Sequence, residues 1–278
     1  MNQRAETGTP FTEAELDDVV NSIDNIRTHS VSSDQLRKLL QDVAHLSHKD
    51  WAVTGNNAKK LGDILLKDGV NEKTRHMLQR ILLEGNWDGA AKHAATERPT
   101  GVQPWAVLVT GVNGIRKTTS IYQPWFPALL QEALVAPPNV SDDNGTLAST
   151  TLTTNAFDPA VLPAGGNSFF RQLDHMIATL CNEDFAALYL LTQELLTEFA
   201  VEDPPLAVVK KYSDLKAAIF TRFRTLSELL GALLLGEAQV LKSNCMMETS
   251  GRDVAMFHYV DHFFPVGYNK VRRRPSMG

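Results

Sequence analysis

The stretch Gly111-Val-Asn-Gly-Ile-Arg-Lys-Thr118 carries the most informative chemistry in the chain. It follows the pattern Gly-x4-Gly-Lys-Ser/Thr (Walker A) at every fixed position except one, where Arg116 replaces the second glycine. Such a loop wraps backbone N–H groups around an anion at a helix N-terminus. The predicted ligands of a nucleotide phosphate chain are Gly111, Asn113, Gly114, Arg116, Lys117, Thr118 and Thr119. Lys117 would reach the terminal phosphates, and the Thr118 hydroxyl would help to hold Mg²⁺. Glycine permits close ligand approach that a Cβ blocks, so Arg116 alters this loop or adds positive charge beside it. The plainer alternative is a tight Asn113-Gly114 turn followed by an incidental basic pair.

A second chemical cluster is Met247-Glu-Thr-Ser-Gly-Arg-Asp253. A carboxylate, a hydroxyl and a guanidinium gather there at the end of an apolar run, where α/β sheets bind ligands. Glu248, Thr249 and Arg252 are the substrate-binding candidates, against the alternative of a structural ion pair between Glu248 and Arg252. Weaker motifs are His258-x3-His262, where no Glu follows the first His and no third metal ligand is evident, His45-x2-His48, which sits at a helix end, and Asp142-Asp-Asn-Gly145, which is expected to be a turn. Cys245 reads as a small buried residue within an apolar strand.

The elements that must position these residues follow from periodicity. Trp105-Ala-Val-Leu-Val-Thr110 is predicted to be a buried strand feeding the glycine loop, and a helix is expected to start near Lys117. Pro124 should end or kink that helix within about two turns. A Thr-rich strand is expected at 149–155 and another strand near 244–249. Helices are expected from Ser168 (Phe169, Phe170, Leu173, Ile177, Leu180), up to Ala200, and from Leu206 to Lys242. Upstream, Thr12-Glu-Ala-Glu15 has capping-box spacing, and Ser33 is placed to cap the next helix.

The expected organisation is an all-α N-terminal domain at 1–98, a Pro/Gly linker at 99–104, a phosphate-loop α/β domain at 105–269 and a basic tail at 270–278. The domain is predicted to hold a parallel sheet flanked by helices.

With 278 residues, 43% hydrophobic and 21% charged, the chain has ordinary globular composition. A net charge of -5 gives no pull toward nucleic acid or anionic membrane. Two cysteines cannot build a disulfide framework, and no apolar run reaches membrane-spanning length. A cytoplasmic protein is the expectation.

From Pro104 to Phe264 the chain resembles the zeta toxin family of phosphate-loop kinases, through the glycine loop, Thr154-Asn-Ala-Phe-Asp-Pro159 and Met247 to Asp253. The resemblance implies an enzyme that uses ATP and Mg²⁺ to phosphorylate a hydroxyl of a small molecule such as a nucleotide sugar. The catalytic residues it points to are Lys117 and Asp158. The family's aspartate position corresponds to Asn155, and asparagine cannot serve as a carboxylate base. Asp158 is the nearest carboxylate, and Asp174 on the following helix is the alternative.

The family's sheet has about five parallel strands and a lid, whereas three strand candidates are legible here. The strand that should lie beside the phosphate-loop strand is missing from this reading, which predicts an open sheet edge and a domain cut short at its C-terminus. The competing expectation is a catalytically degenerate nucleotide-binding or protein-interaction module. A protein partner would then engage the helical N-terminal domain.

Overall fold

The structure is a computed structural model that describes residues 9–24, 33–43, 51–66, 72–110, 117–135, 161–199, 205–249, 260, 264 and 267–273. The chain forms two compact units, each assembled from two separate stretches: Met1–Glu84 with Gln172–Gly236, and Gly85–Arg171 with Glu237–Gly278. The sequence alone predicts one division, at 99–104. Instead, helices from the second half of the chain complete the helical unit.

The helical unit contains α1 (Glu13–Asp24), α2 (Ser33–Val43), α3 (Trp51–Leu66) and α4 (Glu72–Glu84). Its later helices are α8 (Leu173–Leu180), α9 (Asn182–Phe199) and α10 (Leu206–Val240) up to Gly236. The capping box forms: Thr12 N–H donates to Glu15 Oε2 at 2.8 Å, and Glu15 N–H donates to Thr12 Oγ1 at 3.4 Å. Arg37 of α2 then reaches Glu13 and Asp17 of α1, its Nε donating to Glu13 Oε2 at 3.2 Å. The amphipathic stripes meet in one core, with Leu16, Leu36, Leu40 and Leu61 packed among Ile177, Phe223, Leu226 and Leu229. Gly62 matters because a Cβ there would stand 3.1 Å from Leu233 Cδ2. That glycine lets α3 approach α10 closely.

The sheet unit holds α5 (Trp87–Lys92), a π-turn (His93–Glu97), β1 (Trp105–Thr110), α6 (Lys117–Ile121), α7 (Trp125–Val135), β2 (Ser168–Arg171), β3 (Asn244–Thr249) and β4 (Asn269–Arg273). The four strands run parallel in the order β2-β3-β1-β4. Trp105, Ala106, Val107 and Leu108 are all buried, as a central strand covered on both faces requires. On one face Val107, Ile121, Leu130, Leu162, Phe170 and Met246 share a core.

Strands β1 and β3 form as expected. The expected strand at 149–155 lies outside the described residues. Two elements differ from expectation. Ser168–Arg171 is a strand rather than the first turn of a helix, and the helix begins only at Leu173. All four of its residues are buried, so the spacing of Phe169 and Phe170 serves a two-sided strand. The supposed tail is not wholly a tail either: Asn269–Arg273 is β4, paired with β1. The edge expected to stand open beside β1 is therefore occupied.

Pro124 acts as its chemistry dictates. Helix α6 lasts five residues and closes with tight bonds, Tyr122 N–H to Thr119 O at 3.3 Å and Gln123 N–H to Ser120 O at 3.2 Å. The chain turns and restarts as α7, where Pro127 sits harmlessly in the first turn. Tyr122 then packs over Gly165, whose N–H donates to Ile121 O at 3.3 Å.

A Cβ at Gly165 would fall 2.2 Å from Tyr122 Cδ1. Gly165→Ala should therefore lower stability by about 1–3 kcal/mol, the usual cost of overpacking. Tyr122→Ala in the same chain should remove most of that loss. Urea unfolding of the single and double variants checks this; an equal loss in both backgrounds would contradict it.

Candidate functional site

The site is built at the carboxyl edge of the sheet, and its register is set at the opposite, amino edge. Asparagines stand at or beside the start of three strands. Asn244, fully buried at the head of β3, accepts the Trp105 N–H at 2.9 Å through Oδ1 and so aligns β3 with β1. Its Nδ2 lies 3.5 Å from Asn167 Oδ1, immediately before β2. Asn167 closes its own loop by accepting the Ala164 N–H at 2.8 Å and donating to Leu162 O at 2.8 Å. At the head of β4, Asn269 N–H donates to Pro104 O at 2.8 Å and its Nδ2 to Gln103 O at 3.3 Å. Tyr268 anchors the same strand by donating its buried hydroxyl to Ser243 O at 3.0 Å. Buried backbone polar groups are thereby satisfied where the strands begin.

Four to five residues later this alignment places charge. Val109 is the register partner of Glu248 on one side and of Arg273 on the other. Thr110 pairs with Thr249, at the point where β1 enters Gly111. One step earlier, Arg171, Met247, Leu108 and Arg272 form a row across all four strands. Arg171, the last residue of β2, is a buried cation.

Of the candidates named from sequence, Glu248 is half-buried on β3 and Thr249 ends that strand, so both stand beside the last residues of β1. Lys117, Thr118 and Thr119 open α6, with Thr119 exposed. Gly111, Asn113, Gly114, Arg116, Asn155, Asp158 and Arg252 lie outside the described residues. So do both His pairs and the Asp142–Gly145 segment. Asp174 is exposed in the first turn of α8 and belongs to the helical unit.

Sequence reasoning missed Arg171 and Arg273 as residues of this edge. Each is hidden because its strand is short and ends in the arginine. The only signal was a basic residue following a few extended ones.

Cys245 is buried, as expected, and its Sγ–H donates to Ser243 O at 3.4 Å. Burial pushes that thiol up, and pushes the Cys181 thiol to about 12 with the help of Asp184, so neither is a ready nucleophile. Among the described residues no cluster of His, Cys, Asp or Glu could hold a metal, and no helix is long and apolar enough to cross a membrane.

The asparagine lock has a measurable consequence. Asn244→Ala leaves the buried Trp105 N–H without its acceptor and should cost about 1–3 kcal/mol. Chemical denaturation reads this directly. A loss within error of zero would show that β1 is aligned by other means.

No family model, no curated protein and no solved structure matches this chain.

Proposed function

We propose that this chain is a phosphate-loop nucleotide-binding protein, similar to the zeta toxin kinases, that phosphorylates a hydroxyl of a small molecule such as a nucleotide sugar. The observation that carries the reading is the setting of the loop sequence. It follows directly on β1, the strand flanked by parallel neighbours β3 and β4, and a helix opens at Lys117. A strand beside β1 on that flank is what the kinase resemblance requires.

The donor set suits ATP with Mg²⁺. Lys117 and Thr118 are the first two residues of a helix, where backbone N–H groups lack intrahelical partners. When bound, ATP–Mg²⁺ would supply the phosphoryl group. Lys117 would neutralise charge on the phosphates, and Thr118 would hold the metal. Gly111, Asn113 and Gly114 would present backbone donors, with Arg116 and Thr119 at the rim of the same site. Asp158 would accept the proton of the attacking hydroxyl. Glu248, Thr249 and Arg252 would orient the acceptor at the ends of β1 and β3.

Arg116 and Asn155 favour a second reading, in which the domain binds nucleotide without turning it over or serves as a protein-interaction module. Under that reading Arg116→Gly creates phosphoryl transfer that the native chain lacks.

Calorimetric titration with Mg-ATP tests nucleotide binding. The native chain should bind, and Lys117→Ala should weaken affinity on the order of 10- to 100-fold, as loss of a charge-assisted hydrogen bond implies. Absence of binding by the native chain, or equal binding by both, would contradict the proposal.

A further inference from the structure

Ser276 follows three consecutive arginines, Arg272 to Arg274, across a single proline. Protein kinases with acidic substrate grooves read arginines two and three residues before a serine, pairing each guanidinium with carboxylates. Arg274 and Arg273 stand at those two positions. A basic run of this kind is ordinarily a solvated segment.

Strand β4 gives the run an address. Arg272 and Arg273 are its last two residues, in register with Leu108 and Val109 of β1. The two strands are parallel, so β4 ends at the carboxyl edge, where β1 enters Gly111. Among the described residues no strand pairs with the other edge of β4, and Arg273 is already extended, as a kinase groove requires of its substrate. Residues 274–278 lie outside the described residues, and covalent geometry alone bounds Ser276. Three residues of chain reach at most about 11 Å from Arg273.

We infer that Ser276 is a phosphorylation site for an Arg-directed serine kinase, and that its phosphate weakens nucleotide binding at the carboxyl edge. The second half rests on the nucleotide reading given under the proposed function. In the transfer, the Ser276 hydroxyl oxygen bonds to the γ-phosphorus of the kinase's ATP. The bridging bond to the β-phosphate breaks, ADP leaves, and the hydroxyl proton passes to the kinase's base. The product carries a charge of about -2 on the edge that receives the phosphates of a nucleotide. Like charges at a separation on the order of 10 Å, damped by a Debye length of about 8 Å, would lower affinity about threefold.

The full chain is incubated with cyclic-AMP-dependent protein kinase and Mg-ATP, beside a control lacking the kinase, and mapped by tandem mass spectrometry. Kinase-dependent phosphate at Ser276 is expected, absent from Ser276→Ala. Arg273→Ala/Arg274→Ala should slow incorporation on the order of tenfold or more, as loss of two charge-assisted contacts implies. Calorimetry then compares Mg-ATP binding by the phosphorylated chain and by Ser276→Ala. The phosphorylated chain should bind about threefold or more weakly, with the gap closing as salt is raised. No incorporation at Ser276, or a rate indifferent to both arginines, would overturn the site. Equal affinities would overturn the regulatory half. Absence of binding by both forms would instead overturn the nucleotide reading, and the regulatory half with it.

Discussion

A strand buried on both faces with neighbours on both edges cannot leave any of its peptide groups unpaired, and β1 is such a strand. Trp105 to Leu108 sit among apolar side chains, β3 pairs along one edge and β4 along the other. An unpaired N–H at this depth would cost free energy comparable to a lost hydrogen bond. The first N–H of β1 lies at the end of the ladder, and the Asn244 side chain satisfies it. Asn167 and Asn269 organise the neighbouring strand starts. A slip of one residue would reverse every side chain of a strand between the sheet faces, so alignment at the amino edge controls what the carboxyl edge presents. Glu248, Val109 and Arg273 share one register position for that reason, as do Thr110 and Thr249.

The helical unit has a different logic. Each of α1 to α4 has an apolar stripe too narrow to form a core alone. The closing surface comes from residues more than a hundred positions later, chiefly Phe223, Leu226, Leu229 and Leu230 of α10. The N-terminal helices are thus half of a core rather than a detachable module. Their removal would uncover the apolar face of α10, not merely delete an accessory domain. A regulatory role assigned to residues 1–98 by deletion alone would confuse signalling with loss of folding.

Much of this arrangement is legible in the sequence. The six-residue apolar run at Trp105, the strand at 244–249, the capping box at Thr12 and the break at Pro124 all follow from local chemistry, and each forms. What was not legible depends on distant partners. Phe169, Phe170, Leu173 and Ile177 fit a helical stripe as well as a short strand followed by a helix, because four residues are too few to establish a period of two. Asn269-Lys-Val-Arg-Arg273 has the polarity of a solvated tail, which is also the polarity of an edge strand protected from further pairing. Nor does an amphipathic stripe name the surface it will meet, so the joining of α8 to α10 with the N-terminal helices could not be read from their sequences. The positions of Glu248 and Thr249 at a strand end were legible because an apolar run, Cys245 to Met247, leads into them. Arg171 ends a strand of four residues, and Arg273 ends a polar one.

The central claim is that the ends of β1 and β3 converge on a nucleotide phosphate chain. Hydrogen–deuterium exchange of the native chain with and without saturating Mg-ATP tests it most directly, because it reports where the ligand acts as well as whether it binds. The account predicts slowed exchange in peptides covering residues 109–121 and 247–253. Unchanged exchange there, or protection confined to peptides elsewhere in the chain, would contradict it.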